Sequence, residues 1–440
     1  MNVYRLSPVP ASAGPGRRRP ASFEPRERLY GGPVGHAAPP PRVDTQPSAD
    51  PLWPLLSLAL GTFALGTEAF MIAAILPRIA DDLSVSVAAA GQLVAVFTLS
   101  YAISSPILTT LAASVDRRKL LIASMALFIA GNVAAASASG YGWLLLARVA
   151  QAFAAGLFAP NAFALAGVLA PKERRGRALA IVNGGFSVAV ALGVPVGAFI
   201  GGHLGWRMTF IGVAALSTVA LLGLSVGLPK GVGQGLSVPT FRERLAAVRE
   251  PGALPALLVT TLWAVGGYTV YTFIAPFLKT AAALDTSQVA YFLFCWGGSA
   301  FVGLILGGFA SDKLGARRVI FTVLLLMAAA LSGLSLTAAL VSPLRALPVV
   351  LAVAAVWGLT AWAFAPAQQA RLVSVAGLRN APLILSLNSS FQYVGFSLGA
   401  GLGSITVAFG GVLELGWVGG TCVLAALLMF LVAGRRVVKS

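Results

Sequence analysis

Charge is scarce in this sequence. Only 10% of its 440 residues are charged, where a soluble domain carries about 25%. A water-soluble globule of this length needs far more polar surface, so lipid must stand in for the missing water. Cysteine is scarce too. Cys295 and Cys422 both sit inside apolar runs, which excludes a disulfide framework and leaves two small buried hydrophobes. The two histidines, His36 and His203, lie far apart in tail and loop, so they point to no metal cluster. No phosphate-cradling glycine loop is present, which argues against ATP as the driving force. No nucleophile triad presents itself either, and we expect no enzyme and no cofactor.

What is abundant is apolar sequence. Hydrophobic residues make up 58% of the chain. A membrane-crossing helix needs about 20 of them in succession. Twelve such runs lie near 52–77, 87–112, 120–139, 142–170, 178–201, 207–228, 254–278, 288–310, 319–341, 344–370, 381–409 and 412–433. These predict an all-α membrane protein of twelve transmembrane segments.

The net charge of +17 does not point to nucleic acid, because the charges fall in short clusters between the runs. With the N-terminus inside, Arg117, Arg118, Lys119, Lys172, Arg174, Arg175, Arg177, Lys230, Arg242, Arg244, Arg249, Lys313, Arg317, Arg318, Arg371, Arg379, Arg435, Arg436 and Lys439 all fall on the inner side. Only Arg78, Arg207, Lys279 and Arg345 fall outside. This asymmetry puts both termini in the cytoplasm and the basic loops against anionic lipid.

The chain also repeats itself. VNGGF at Val182–Phe186 answers LNSSF at Leu387–Phe391, each about one helix after an Ala-Pro step at Pro160 and Pro366. Two pseudo-symmetric six-helix bundles explain the repeat. They occupy 51–228 and 254–434, joined by a cytoplasmic linker at 229–253, with a short tail at 435–440. A repeat of this kind puts a transport site at the shared interface. Residues 1–50 are rich in Pro and Gly and carry Arg17, Arg18 and Arg19. They read as a disordered cytoplasmic tail. No apolar stretch follows the arginines, so they do not read as a signal peptide. A linker, a basic arm on lipid and an over-extended start site all remain open.

The stretch GGFASDKLGARR, Gly307–Arg318, resembles the loop signature of the major facilitator superfamily. Gly308, Asp312, Lys313, Gly315, Arg317 and Arg318 fill its places. The resemblance implies an inner latch in which Asp312 pairs with basic groups while the glycines allow close approach and a tight turn. The corresponding loop of the first half, TTLAASVDRRKLL, lacks the glycines. Its Arg117 and Arg118 remain, but its one acid, Asp116, adjoins the basic run. GVPVGAFIGG on segment 5, with Gly193, Pro195, Gly197 and Gly201, resembles the family's antiporter motif, a mark of exporters. The run Gly66, Thr67, Glu68, Ala69, Phe70 resembles a segment-1 pattern of its drug–proton antiporters. Arg148 and Gln151 match a segment-4 pattern, with Ala152 and Ala154 where glycines are usual. The whole is similar to chloramphenicol- and arabinose-efflux exporters.

A carboxylate at the membrane midplane costs a few kcal/mol on insertion scales, and burial favours its neutral form. Glu68 is therefore the expected proton carrier, with Arg148 its expected partner. The alternative for Glu68 is a structural carboxyl bonded to neighbouring helices. Phe97, Tyr101, Gln151, Tyr268, Tyr271, Trp362, Asn388 and Gln392 are the expected substrate-cavity residues, since aromatics with a few polar tips suit a small amphipathic ligand. The expected activity is proton-coupled efflux of a drug-like, sugar-like or nucleoside-like molecule across a bacterial inner membrane. The expected partners are that molecule, protons and lipid, without nucleic acid, and the expected state is a monomer. An importer of the same fold and a non-transporting membrane sensor are the rivals.

Overall fold

The computed structural model describes residues 52–233 and 240–437. The expected tail at 1–50 and the chain's last three residues lie outside them. Among the described residues there is helix and no strand. The first bundle holds α1 (Leu52–Asp82), α2 (Val87–Leu111), α3 (Arg117–Ala136), α4 (Tyr141–Leu169), α5 (Arg175–Val188), α6 (Val194–His203) and α7 (Trp206–Gly227). A short helix, α8 (Phe241–Val248), precedes the second bundle. That bundle holds α9 (Ala253–Tyr271), α10 (Ile274–Ala282), α11 (Thr286–Leu314), α12 (Ala316–Leu340), α13 (Leu347–Phe409) and α14 (Leu415–Val437). Eleven stretches among the described residues are long and apolar enough to cross a membrane. The twelfth expected segment, at 381–409, is not among them. It forms the second arm of α13, where Asn388, Ser389, Ser390 and Gln392 dilute the apolar run.

Where helices break, proline and glycine are the cause. Segment 5 is not one straight helix. Pro195 has no N–H for the carbonyl four residues back, and the chain answers with a π turn at Ala189–Gly193, closed by Val194 N–H on Ala189 O. Segment 7 breaks between α9 and α10 because Pro276 has no N–H for the Thr272 carbonyl. Gly377, at φ +76° and ψ 159°, divides α13 into two arms, 347–377 and 378–409. A side chain is strained at that angle, so only glycine turns the chain there freely.

Caps fix other ends. Ser86 accepts from Ala89 N–H at 3.1 Å and Asp116 from Lys119 N–H at 3.0 Å. Asp116 is therefore a helix cap rather than an unmatched remnant of a latch. Asp285 and Gln288 form a reciprocal capping box on α11. The linker expected at 229–253 is more than a connector, because α8 has its own capping box between Thr240 and Glu243. Bonds from the Thr240 backbone N–H and hydroxyl hold the Glu243 carboxyl below the usual carboxylate range. Arg244 is buried and donates to Ser386 Oγ at 2.7 Å. Burial lowers its guanidinium from the usual value.

On the face opposite the basic loops, Arg207 ties the first bundle together. It meets Asp82 at 2.6 Å and donates to Ala138 O at 2.8 Å, while Trp206 Nε1 also reaches Asp82 at 3.2 Å. The pair is exposed, at 38% and 45%. Exposed pairs contribute at most about 1 kcal/mol, so Asp82→Asn should leave thermal unfolding in detergent almost unchanged. A drop of many degrees would contradict that reading.

Candidate functional site

Glu68 and Arg148 face each other inside the first bundle, and both side chains are 0% exposed. Four helices converge on the pair. Arg148 Nη1 meets Glu68 of α1 and also donates to Gln151 Oε1 at 3.0 Å, one turn along α4. Its Nε donates to Leu93 O of α2 at 3.3 Å, and its plane lies 4.2 Å from the Phe97 ring centroid. Gln151 Nε2 donates to Gly131 O of α3 at 3.4 Å. Gly131 is required there, since a Cβ on it would stand 2.9 Å from Gln151 Cγ. Phe97 and Gln151, expected in the substrate cavity, are instead 1% and 0% exposed and serve as the housing of Arg148. A charge in such a place is tolerated only when paired and hydrogen-bonded.

Two residues on from Glu68, and so on the opposite side of α1, Phe70 faces the second bundle. Its ring lies 5.6 Å from Tyr271, 6.0 Å from Tyr268, 6.3 Å from Trp362 and 5.8 Å from Phe186. Tyr271 Oη donates to Phe70 O at 3.1 Å. Tyr268 stacks on Phe396 at 3.7 Å, and Tyr101 stacks across the bundles on Tyr393 at 3.8 Å. Trp362, Phe186, Tyr393 and Gln392 keep part of their surface open between the bundles. Asn388 stands apart, accepting from Thr260 at 2.7 Å.

Phe70, Phe186, Trp296, Tyr393 and Phe396 are absent from the sequence-derived cavity set. A signal for two of them existed. Phe70 ends the Gly66–Phe70 run and Phe186 ends VNGGF. The others are aromatics in aromatic-rich helices, with nothing in the sequence to say which face turns inward.

The expected latch is not formed. Among the described residues Asp312 makes no ion pair or hydrogen bond, and its side chain is exposed, as are those of Lys313, Arg317 and Arg318. Gly315 does supply the tight turn, at φ +81°. Close approach belongs to Gly307, whose Cβ would stand 2.6 Å from Ala363, while nothing stands within 4 Å at Gly308. In the first half, Arg117 is buried and donates to Asn161 Oδ1 at 2.7 Å. Arg118 donates to Ser225 O at 2.5 Å, near the end of α7. Those arginines brace their own bundle.

The segment-5 glycines also pack within their own bundle. A Cβ on Gly193 would stand 2.1 Å from Thr67 Oγ1, on Gly197 3.0 Å from Met71 Cβ, and on Gly201 2.3 Å from Ile75 Cγ2. The same stripe recurs 202 residues later. A Cβ on Gly395, Gly399 or Gly403 would stand 2.5, 2.5 or 2.8 Å from Thr261 O, Val265 O or Thr269 O of α9. The stripe is thus a packing device of both bundles, and it says nothing by itself about the direction of transport.

The bundles meet through α2 on α13, α1 on α10, and α6 with the π turn on α11. At the face opposite the basic loops lies a cleft of about 920 Å³ lined by Pro77, Arg78, Asp81, Asp82, Arg207 and Lys279, among others.

Two repeated helical bundles, an ion pair buried in one and an aromatic floor between them define a polytopic membrane transporter. Residues 58–400 match the Major Facilitator Superfamily, and the chain belongs to that family. It is 33% identical over 377 residues to an uncharacterised transporter of this family, YbcL of Bacillus subtilis, covering 86% of this chain and 94% of the relative. It is 34% identical over 262 residues to the chloramphenicol resistance protein of Streptomyces lividans, covering 59% and 67%. The fold is similar to that of an inward-facing, occupied bacterial homologue of the human lysosomal transporter Spinster. There the TM-score is 0.74 at 20% identity, over 88% of this chain and 98% of the other.

Proposed function

We propose that the protein exports a small molecule across a bacterial inner membrane in exchange for protons, by alternating access, with the basic loops and both termini in the cytoplasm. The buried Glu68–Arg148 pair carries the reading. In a dry site the carboxyl has two tolerable states, paired with Arg148 or protonated. Protonation releases Arg148 from Glu68, while Gln151, Leu93 O and the Phe97 ring still hold the guanidinium. The pair can thus switch without expelling a bare charge. Phe70, two residues from Glu68 on α1, stands against the aromatic floor, so a shift of α1 on protonation would be felt there. Proton and substrate then act on one another through a shared coupling free energy. The chloramphenicol resistance relative supports efflux over import, and it supplies the first substrate to try.

The test is proton uptake by proteoliposomes, read with an internal pH dye, when chloramphenicol is supplied to the basic-loop side. The unaltered chain should couple outward chloramphenicol flux to inward proton flux. Glu68→Gln should abolish the coupled proton flux. Unchanged proton stoichiometry in Glu68→Gln would reject the assignment, and a proton gradient that drives accumulation on the basic-loop side would make the protein an importer.

A further inference from the structure

Two of the buried polar groups that the transport reading leaves without a role lie on one seam of the second bundle. Trp263 of α9 stacks on Phe364 of α13 at 4.7 Å, and its Nε1 has no hydrogen-bond partner among the described residues. Gln368 lies four residues beyond Phe364, on the same helix face. It is 1% exposed. Its Nε2 donates to Ala256 O at 2.7 Å and to Thr260 Oγ1 at 2.9 Å, and Thr260 passes its own proton to Asn388 Oδ1. Ala256 O can only accept, so the Gln368 amide cannot be turned round. Its Oε1 is therefore the free end, and it too has no partner among the described residues.

One donor and one acceptor thus stand unsatisfied on adjacent turns of the same seam between α9 and the first arm of α13. Buried polar groups of this kind are costly unless something binds them. Trp263 keeps 9% and Asn388 8% of their surface open, while the indole nitrogen and Gln368 Oε1 are themselves buried. The walls of the seam are aromatic, with Phe396 at 6.4 Å from Trp263. Glu68 is the only acid within a membrane-crossing stretch away from its ends among the described residues, and Arg148 holds it. A cation would find no counter-charge in the seam.

We infer that this seam reads a neutral aromatic amide, with the Trp263 indole N–H donating to the ligand carbonyl and Gln368 Oε1 accepting from the ligand N–H. The inference rests on the transport reading and adds the substrate class. A site built to hydrogen-bond both ends of an amide rejects an analogue that lacks one of them.

The experiment is titration calorimetry of the full chain in detergent with three probes. Benzanilide carries the amide, phenyl benzoate is its ester counterpart without the N–H, and tetraphenylphosphonium is an aromatic cation. Benzanilide should bind at least about ten-fold tighter than the other two. Gln368→Met should erase the margin over phenyl benzoate and leave phenyl benzoate binding unchanged, which also shows that this variant folds, whereas Trp263→Phe should weaken both carbonyl ligands and leave tetraphenylphosphonium binding unchanged. Equal affinities, tighter binding of the cation, no benzanilide binding, a margin over phenyl benzoate that survives Gln368→Met, or carbonyl-ligand binding that survives Trp263→Phe would overturn the inference. The two readings fail separately. Loss of the amide margin leaves Glu68-dependent proton flux standing, and coupled flux in Glu68→Gln leaves the margin standing.

Discussion

Arg148→Met is expected to destabilise the first bundle by about 3–5 kcal/mol, the usual cost of removing one partner of a buried ion pair. The two partners are not equally dependent. Arg148 has Gln151 Oε1, the Leu93 carbonyl and the Phe97 ring besides Glu68. Neither oxygen of Glu68 has another hydrogen-bond partner among the described residues. Removing the arginine leaves the carboxyl at zero exposure with protonation as its only relief, whereas Glu68→Gln leaves the guanidinium its neutral partners but no counter-charge. Glu68→Gln alone should also destabilise the bundle, because the guanidinium stays buried without its counter-charge. Adding it to Arg148→Met should recover most of the loss, because an amide has no charge to strand. Unfolding in detergent, followed by scanning fluorimetry or a denaturant titration, ranks the three variants. A double variant no more stable than Arg148→Met would show that the loss comes from lost packing against Phe97 rather than from the stranded charge.

That asymmetry was hidden in the sequence although the residues were not. One acid and one arginine inside apolar runs stand out against 10% total charge, and a pairing between them is the obvious guess. Gly131, which makes room for Gln151, is one glycine among 49. The helix count was legible for a similar reason, since hydropathy depends on composition alone. The exception proves instructive: the arm at 378–409 loses its apolar run to the polar residues around Asn388. The loop signature pointed to the right family but not to a latch formed here, because a motif fixes residue types and not partners. Asp312 is available to pair, but in this conformation nothing among the described residues reaches it. The segment-5 stripe was only half read. It was noticed where the family puts it, yet Gly395, Gly399 and Gly403 repeat it in the second half with the same spacing.

Gly91→Val is expected to open the bundles at the face opposite the basic loops. Phe273 sits at the break between α9 and α10, with zero exposure. Its ring fills a notch made by glycines of two other helices. A Cβ on Gly91 of α2 would stand 2.2 Å from Phe273 Cζ, and one on Gly403 of α13 would stand 2.8 Å from Cε2. One turn deeper, Ser397 of α13 donates to Ala95 O of α2 at 2.9 Å. The ring thus closes a seam between a helix of the first bundle and two segments of the second. A valine at position 91 leaves no room for it, and Phe273→Ala empties the notch. Both changes act on the seal and not on the Glu68–Arg148 pair. They should therefore shift the balance of conformations while the fold persists. Val289 is 5% exposed and lines the 920 Å³ cleft just outside the seal. In a background with Cys295 and Cys422 replaced by serine, Val289→Cys should react with a membrane-impermeant maleimide about ten-fold faster when either change is present, since a ten-fold population shift exposes the site ten-fold more often. Equal rates in all three backgrounds would mean that the seal is held by the α6–α11 contact instead, and that Phe273 only fills space.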